Sequence, residues 1–250
     1  MQAPDGPDPP GGLTVSVLGC DGSWPGPRGA GSGYLFRTRG TAVLVDSGPG
    51  TLARLQGVLD PTMLDAVVIS HRHADHWSDL PVLATLLRIS GRHRPLPVLA
   101  PAGLAQHTRL DGAPLLAWRV VSSGDRVGIG DLWARFHRTD HAEETLALRL
   151  DGASRSVGYS ADTGPGWSLA ELGPGLDLVV CEATYTSEHE GTPGHMSGRQ
   201  AGEQARRAGI PRIVLTHRWP TVPAEAVGNE ASTAFGAPVE QAFPGMEIQL

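Results

Sequence analysis

The segment Val67 to Trp77 reads Val-Val-Ile-Ser-His-Arg-His-Ala-Asp-His-Trp, placing three histidines and an aspartate within six residues directly behind a run of β-formers. A buried strand that ends in His71-x-His73-x-Asp75-His76 delivers imidazole nitrogens and a carboxylate oxygen to one point, the donor set that borderline metals such as zinc take. Residues on an extended loop alternate in direction, so His71 and His73 can serve one ion while Asp75 and His76 turn towards a second. Without a cation, so dense a cluster would repel itself whenever protonated. A metal site therefore explains it better than a solvated loop does.

The chain has 250 residues, enough for one large domain with a sizeable core, and its 33 glycines and 21 prolines predict many turns and short elements. A formal charge of −6 without a basic tract argues against a partner such as extended nucleic acid, while leaving a small, anionic substrate open. Cys20 and Cys181 both sit in apolar strand contexts, which predicts buried thiols rather than a disulfide and suits the cytoplasm. No apolar run approaches the ~20 residues of a membrane span. Residues 1–12, rich in Pro, Gly and Asp, are expected to be a disordered tail ahead of a single domain over 13–250.

Strands are predicted at Leu13–Leu18, Tyr34–Arg37, Thr41–Val45, Ala66–Ser70, Leu96–Ala100, Trp118–Ser122, Leu132–His137, Thr145–Leu150, Ser156–Ser160, Leu178–Cys181, Arg212–Leu215 and Met246–Gln249. Helices are predicted at Thr51–Leu59, Ser78–Ser90 and Pro223–Phe235, with another capped by Ser197, running to Ala208 and stopped by Gly209. Two broadly similar halves of strands and helices point to an α/β fold of two packed sheets with helices outside. This is a four-layer αββα sandwich rather than a doubly wound parallel sheet.

Two metal ions need more donors than the first motif holds, and further ones occur at predicted strand ends. His141 precedes the strand at Thr145, Asp162 follows Gly158-Tyr159-Ser160, and His217 follows Ile213-Val214-Leu215-Thr216. A rigid element can aim each of them at a common centre.

With this set in view the chain resembles the metallo-β-lactamase superfamily from about Leu13 to the C-terminus. The resemblance implies two divalent ions, zinc first, although manganese or iron accepts the same donors. It assigns His71, His73 and His141 to one ion, Asp75, His76 and His217 to the other, and Asp162 to a bridge. Asp46, in Val-Asp46-Ser-Gly48, matches the superfamily's early Asp-x-Gly loop, which supports the site. True β-lactamases resemble the chain less, since they usually lack the equivalent of His76 and often carry a cysteine where Asp162 stands.

Three finer motifs, Gly158-Tyr159-Ser160-Ala161-Asp162-Thr163, Cys181-Glu182-Ala183-Thr184-Tyr185 and Gly194-His195-Met196-Ser197, are similar to the RNase Z-like phosphodiesterase branch. There a glutamate orients an extra histidine that serves the phosphate, so Glu182 and His195 inherit those roles; Cys181 departs from the branch, where RNase Z has a histidine. Bacterial RNase Z inserts a long tRNA-gripping arm between the positions of His141 and Asp162, but here only about twenty residues separate them. The opening Leu18-Gly-Cys20-Asp-Gly22 and Gly31-Ser-Gly33-Tyr34 look closest to an actinobacterial arm-less group of atypical cyclic-nucleotide phosphodiesterases.

The resemblance thus implies a dinuclear metal-dependent hydrolase that attacks a small phosphodiester, such as a 3′,5′-cyclic nucleotide, through a metal-bridging hydroxide. Asp75, His195 and Glu182 are expected to carry catalysis, Asp75 in addition to its ligand role. Alternatives on the same centre are a lactone, ester or thioester hydrolase of specialised metabolism and an RNase Z-like ribonuclease. Trp24, Trp77 and Trp219 lie beside the expected site in sequence and could form a substrate-binding aromatic wall, with Arg218 beside a phosphate. The Gly26–Gly33 loop lacks the Lys-Ser or Lys-Thr of a phosphate-binding P-loop and is expected to be a flexible rim. His93, His107, His137 and His189 are expected on the surface, and a homodimer is possible.

Overall fold

The computed structural model describes residues 12–250, so the disordered tail expected over 1–12 lies outside the described residues except at Gly12. Fourteen strands form two seven-stranded mixed sheets. The first holds β1 (Thr14–Gly19), β2 (Gly33–Arg37), β3 (Ala42–Val45), β4 (Ala66–Val68), β5 (Leu96–Ala100), β6 (Leu116–Val120) and β14 (Glu247–Gln249), in the order β14-β1-β2-β3-β4-β5-β6. The second holds β7 (Arg126–Ile129), β8 (Leu132–Arg138), β9 (Leu146–Gly152), β10 (Arg155–Tyr159), β11 (Leu178–Glu182), β12 (Ile213–Thr216) and β13 (Glu240–Gln241), in the order β13-β12-β11-β10-β9-β8-β7.

The strand sequences explain the layering. In β2, Tyr34 and Phe36 join the cluster between the sheets while Leu35 faces the outer layer; β3 divides the same way, Val43 and Val45 inward and Leu44 outward. In β11, Leu178 and Val180 face the inter-sheet core while Val179 and Cys181 face the other outer layer. A period of two with both faces apolar is what a sheet covered on both sides requires. Helices α1 (Thr51–Leu55), α2 (Leu80–Ile89) and α3 (Leu104–Thr108) cover the first sheet, and α4 (Gly198–Arg207) and α5 (Ala224–Phe235) cover the second. The αββα sandwich is the architecture the sequence predicts. Phe136, 1% exposed between the sheets, illustrates the core's weight: truncating such a side chain to alanine costs about 3–5 kcal/mol.

Three elements escape the sequence reading: α3, β7 and β13. The two residues of β13 are too few to show periodicity, and the edge strand β7 buries only Val127 and Ile129. Helix α1 stops at Leu55 rather than Leu59, where Gln56-Gly57 begins a turn. The capping box of α4 forms as its sequence suggests, Ser197 Oγ accepting from the Gln200 N–H and the Gln200 side chain accepting from the Ser197 N–H.

Strands β3, β4 and β5 run parallel, as do β10, β11 and β12, so their carboxyl ends gather on one edge of the sandwich. Asp46, the His71 loop, Asp162 and His217 all follow such ends. Among the described residues no helix is long and apolar enough to cross a membrane. Cys20 and Cys181 are free and buried; burial pushes the Cys20 thiol up to about 12 and that of Cys181 further.

Candidate metal centre

The seven expected ligands converge. Two groups of donor atoms form, His71, His73, His141 and Asp162 on one side and Asp75, His76 and His217 on the other, and a third overlaps them through Asp162, His217 and His195. In the first group His73 Nδ1 lies 3.0 Å from His71 Nε2 and 3.2 Å from His141 Nε2. In the second, His217 Nε2 lies 3.4 Å from His76 Nε2 and 3.3 Å from Asp75 Oδ2. Asp162 faces both groups: its Oδ2 lies 3.4 Å from His71 Nε2, and its Oδ1 lies 3.3 Å from both His76 Nε2 and His217 Nε2.

The outer ring nitrogens are held by the protein. His71 Nδ1–H donates to Ser70 Oγ at 3.0 Å, His141 Nδ1–H to the Gly194 carbonyl at 2.8 Å, and His217 Nδ1–H to Thr184 Oγ1 at 3.1 Å. His76 Nδ1–H donates to Asp46 Oδ2 at 2.7 Å. Each bond fixes a tautomer that leaves Nε2 as an acceptor facing the centre. Asp46 is itself secured, its Oδ1 accepting from the Ser70 N–H at 2.7 Å and its Oδ2 from the Ser70 hydroxyl at 2.9 Å and the Tyr159 phenol at 2.8 Å.

A cation fits this set. Asp162 Oδ1 is buried with no hydrogen-bond donor, a costly orphan unless something positive meets it. His73 Nδ1 lies against two acceptor nitrogens, those of His71 and His141, and can donate to only one of them, while His76 Nε2 faces His217 Nε2 at 3.4 Å. The electrostatics agree. Burial opposes a charged His76, yet the carboxylates of Asp162, Asp75 and Asp46 prevail and raise it well above its usual range. Burial also opposes an ionised Asp162, but His217, His76 and His71 outweigh it and hold the carboxyl well below the ordinary range. His71, by contrast, falls to about 4, through burial first and the neighbouring His76 second.

Strain collects at the same strand ends. Asp46 (φ 59°), Ala161 (φ 49°) and His217 (φ 57°) are non-glycine residues in the left-handed region, each at or beside a site position. Close packing supports them. A Cβ on Gly22 would stand 2.3 Å from the His217 carbonyl oxygen, and one on Gly31 would stand 2.7 Å from that of Asp75.

Glu182 and His195 meet beside the ligands. Glu182 is 1% exposed; its Oε1 accepts from the Thr163 N–H at 2.5 Å, and its Oε2 from Thr184 Oγ1 at 2.8 Å and the Met196 N–H at 3.1 Å. His195 Nδ1 lies 3.2 Å from Glu182 Oε1. The His195 ring stacks on His217 with centroids 5.2 Å apart and stands 5.3 Å from His141. Burial opposes its charge, but the Glu182 carboxylate overrides this and raises His195 to about 9.

The four residues expected at the substrate separate into two behaviours. Trp24, 45% exposed, stacks on Trp219 with centroids 6.2 Å apart, and Trp219 Nε1–H donates to Ser23 Oγ at 3.1 Å. The Ser23 N–H donates to Asp75 Oδ2 at 2.8 Å, tying this indole pair to a ligand. Trp77 does not join them; it packs with the outer cluster of the first sheet, meets His107 edge-on and donates Nε1–H to the Arg72 carbonyl at 2.9 Å. The Arg218 guanidinium is spent on the Trp219 and Val222 carbonyls, satisfying the loop after β12.

Two further expectations need correction. The Gly26–Gly33 loop is not a rim throughout: residues 30–33 are buried, with the Ser32 N–H donating to the Asp75 carbonyl at 3.1 Å, and within the loop only Pro27 and Arg28 are exposed. His137 is half-buried on β8 rather than exposed; His93, His107 and His189 are exposed as expected. Sequence reasoning missed Ser70, Tyr159 and Thr184. Strand alternation is the available signal for Tyr159, because it turns that phenol into the inter-sheet core, where its hydroxyl must find a partner.

Residues 41–218 match the beta-lactamase superfamily domain. The chain belongs to that superfamily. It is 34% identical to the uncharacterized protein ML1173 of Mycobacterium leprae, over 93% of this chain and 87% of that protein. It is 30% identical to the probable metallo-hydrolase YhfI of Bacillus subtilis, over 93% of this chain and 98% of that one. The crystal structure of YhfI superposes with a TM-score of 0.88, covering 95% of this chain and 99% of YhfI. Ribonuclease Z of Mycobacterium bovis is 28% identical, over 91% of this chain and 95% of the enzyme. The protein is a hydrolase of this superfamily with a His/Asp centre suited to divalent metal.

Proposed function

We propose that the protein is a dinuclear metal-dependent phosphodiesterase of the cytoplasm, acting on small phosphodiesters, of which 3′,5′-cyclic nucleotides are the first candidates. The observation that carries this reading is the Glu182–His195 pair, whose imidazole stands against ligands of both donor groups. His71, His73, His141 and Asp162 Oδ2 would hold one ion; Asp75, His76, His217 and Asp162 Oδ1 would hold the other. Zinc suits these donors, and when bound such ions acidify water and polarise a phosphoryl oxygen.

The chain's own groups supply the rest. Glu182 accepts the His195 Nδ1 proton, which leaves Nε2 free to carry the second proton of the charged ring. With its pKa raised to about 9, His195 is protonated at neutral pH and can deliver the Nε2 proton to a departing alkoxide. Trp24 and Trp219 offer an apolar, partly exposed face on the side of Asp75.

A hairpin supports a small substrate. Strands β9 and β10 are joined by Ala153 and Ser154 alone, both at positive φ (51° and 62°), as a two-residue turn requires. The hairpin takes up residues 146–159, and the short connections on either side leave no insertion long enough for the arm by which bacterial RNase Z grips tRNA. The relative named Ribonuclease Z supports phosphodiester chemistry, and the short hairpin favours a small ester over a long RNA.

The test is steady-state hydrolysis of 3′,5′-cyclic AMP, bis(p-nitrophenyl) phosphate and a simple lactone by metal-loaded protein. Turnover of the phosphodiesters is expected, and lactone hydrolysis alone would sink the reading. His195→Ala should lower kcat by about 10²–10⁴-fold, the usual worth of a placed general acid, with metal content unchanged.

A further inference from the structure

Beside the first donor group the surface folds inward. A cavity of about 220 Å³ is lined by Arg72, Pro101, Leu104, His107, Glu143 and Glu144. Two of its residues flank the donors in sequence: Arg72 stands between His71 and His73, and Glu143 lies two residues beyond His141. Arg72 Nη2 and Glu143 Oε2 are 2.5 Å apart, bridging the two ligand loops. Trp77 braces this wall, bonding the Arg72 carbonyl and meeting the His107 ring edge-on at 5.9 Å.

We infer that this cavity is the subsite for the organic half of the substrate, and that it takes an uncharged ring bearing hydroxyl or amino donors. The inference rests on the phosphodiesterase reading for the reaction, and on the lining for the ligand. Pro101 and Leu104, both buried, give a ring an apolar surface to lie against. Carboxylates accept hydrogen bonds and cannot donate them. Arg72 engages one oxygen of Glu143, while Glu144 has no ion-pair partner among the described residues. The lining therefore offers free acceptors and an excess of negative charge. A second anionic group would meet that excess, offset only by the Arg72 donors that Glu143 leaves free, whereas a sugar diol or an amino group would satisfy it, as an acidic residue does for ribose in dinucleotide folds. The volume admits one ring-bearing substituent and no polymer.

The experiment uses adenosine, which carries the donors and the ring but no phosphate for the metals to hold. Calorimetric titration of metal-loaded protein should show adenosine binding that is lost in Ala102→Trp, a substitution at the exposed lip of the cavity, and weakened several-fold in Glu144→Gln. In kinetics, the ratio of kcat/KM for cyclic AMP to that for bis(p-nitrophenyl) phosphate should fall at least tenfold in Ala102→Trp, chiefly through KM. Adenosine that fails to bind the wild type, or binds Ala102→Trp equally well, overturns the subsite, and so does an unchanged ratio. Absence of phosphodiester hydrolysis with adenosine binding intact overturns the phosphodiesterase reading and leaves the subsite standing.

Discussion

The two donor groups share Asp162 but differ in depth and in backing. Asp75, His76 and His217 are all buried, and behind them stand Asp46, Ser70 and Tyr159 on one side and Thr184 and Glu182 on the other. In the first group only His71 and Asp162 are buried; His73 is exposed, and His141 is half-exposed with a single carbonyl behind it. The contrast teaches a division of labour. A deep group whose tautomers are fixed by other buried polar groups would be preorganised to hold an ion, while an open group beside a cavity would be placed to receive substrate.

Removing what the groups share should have the largest effect. Asp162→Ala is expected to abolish stable occupancy of both groups and lower turnover by more than the ~10–100-fold typical of changes behind the ligands, read by metal analysis together with kinetics. Two ions retained per chain would break the bridge. The asymmetry is sharpened next by Asp46→Asn, expected to weaken the second ion about 10–100-fold in competition with a chelator while sparing the first, with Tyr159→Phe following in the same direction by less. Equal weakening of both ions would erase the distinction between the groups.

The smallest effect concerns pH and the metal-free protein. His195 is raised from 6.5 to about 9, so the folded state binds its proton more tightly than the unfolded state does. The resulting stability is fully present below pH 6.5 and is lost as pH rises towards 9. Thermal melting across that window should show a falling Tm in the wild type and a flatter profile in Glu182→Gln. A slope unchanged by the substitution would detach His195 from Glu182.

The strands and the convergence of the seven donor side chains were the legible part of the molecule. A metal ligand at a strand end leaves a mark of residue type, and an apolar strand leaves a mark of period; His71 to His76 behind Ala66–Val68 carries both. Tyr159 and Thr184 left weaker marks, since a tyrosine or threonine in a strand is ordinary and its partner is set by the facing sheet. Trp77 and Arg218 show the converse limit. Each adjoins a donor in sequence, yet Trp77 is spent on the Arg72 carbonyl and the His107 ring, and Arg218 on the carbonyls of its own loop. The cavity beside Arg72 could not be read at all, because its walls come from segments about thirty and seventy residues apart.

The origin of the ligands has a consequence for the whole sandwich. His71, His73, Asp75 and His76 come from the first sheet, and His141, Asp162 and His217 come from the second. Each donor group draws on both, so an ion in either one would rivet the two halves of the chain across their shared edge. No contiguous piece of sequence can assemble such a group, and the unfolded chain would compete poorly for the ions. By mass action, the cell's supply of metal would then become a determinant of how stably the two sheets are held together.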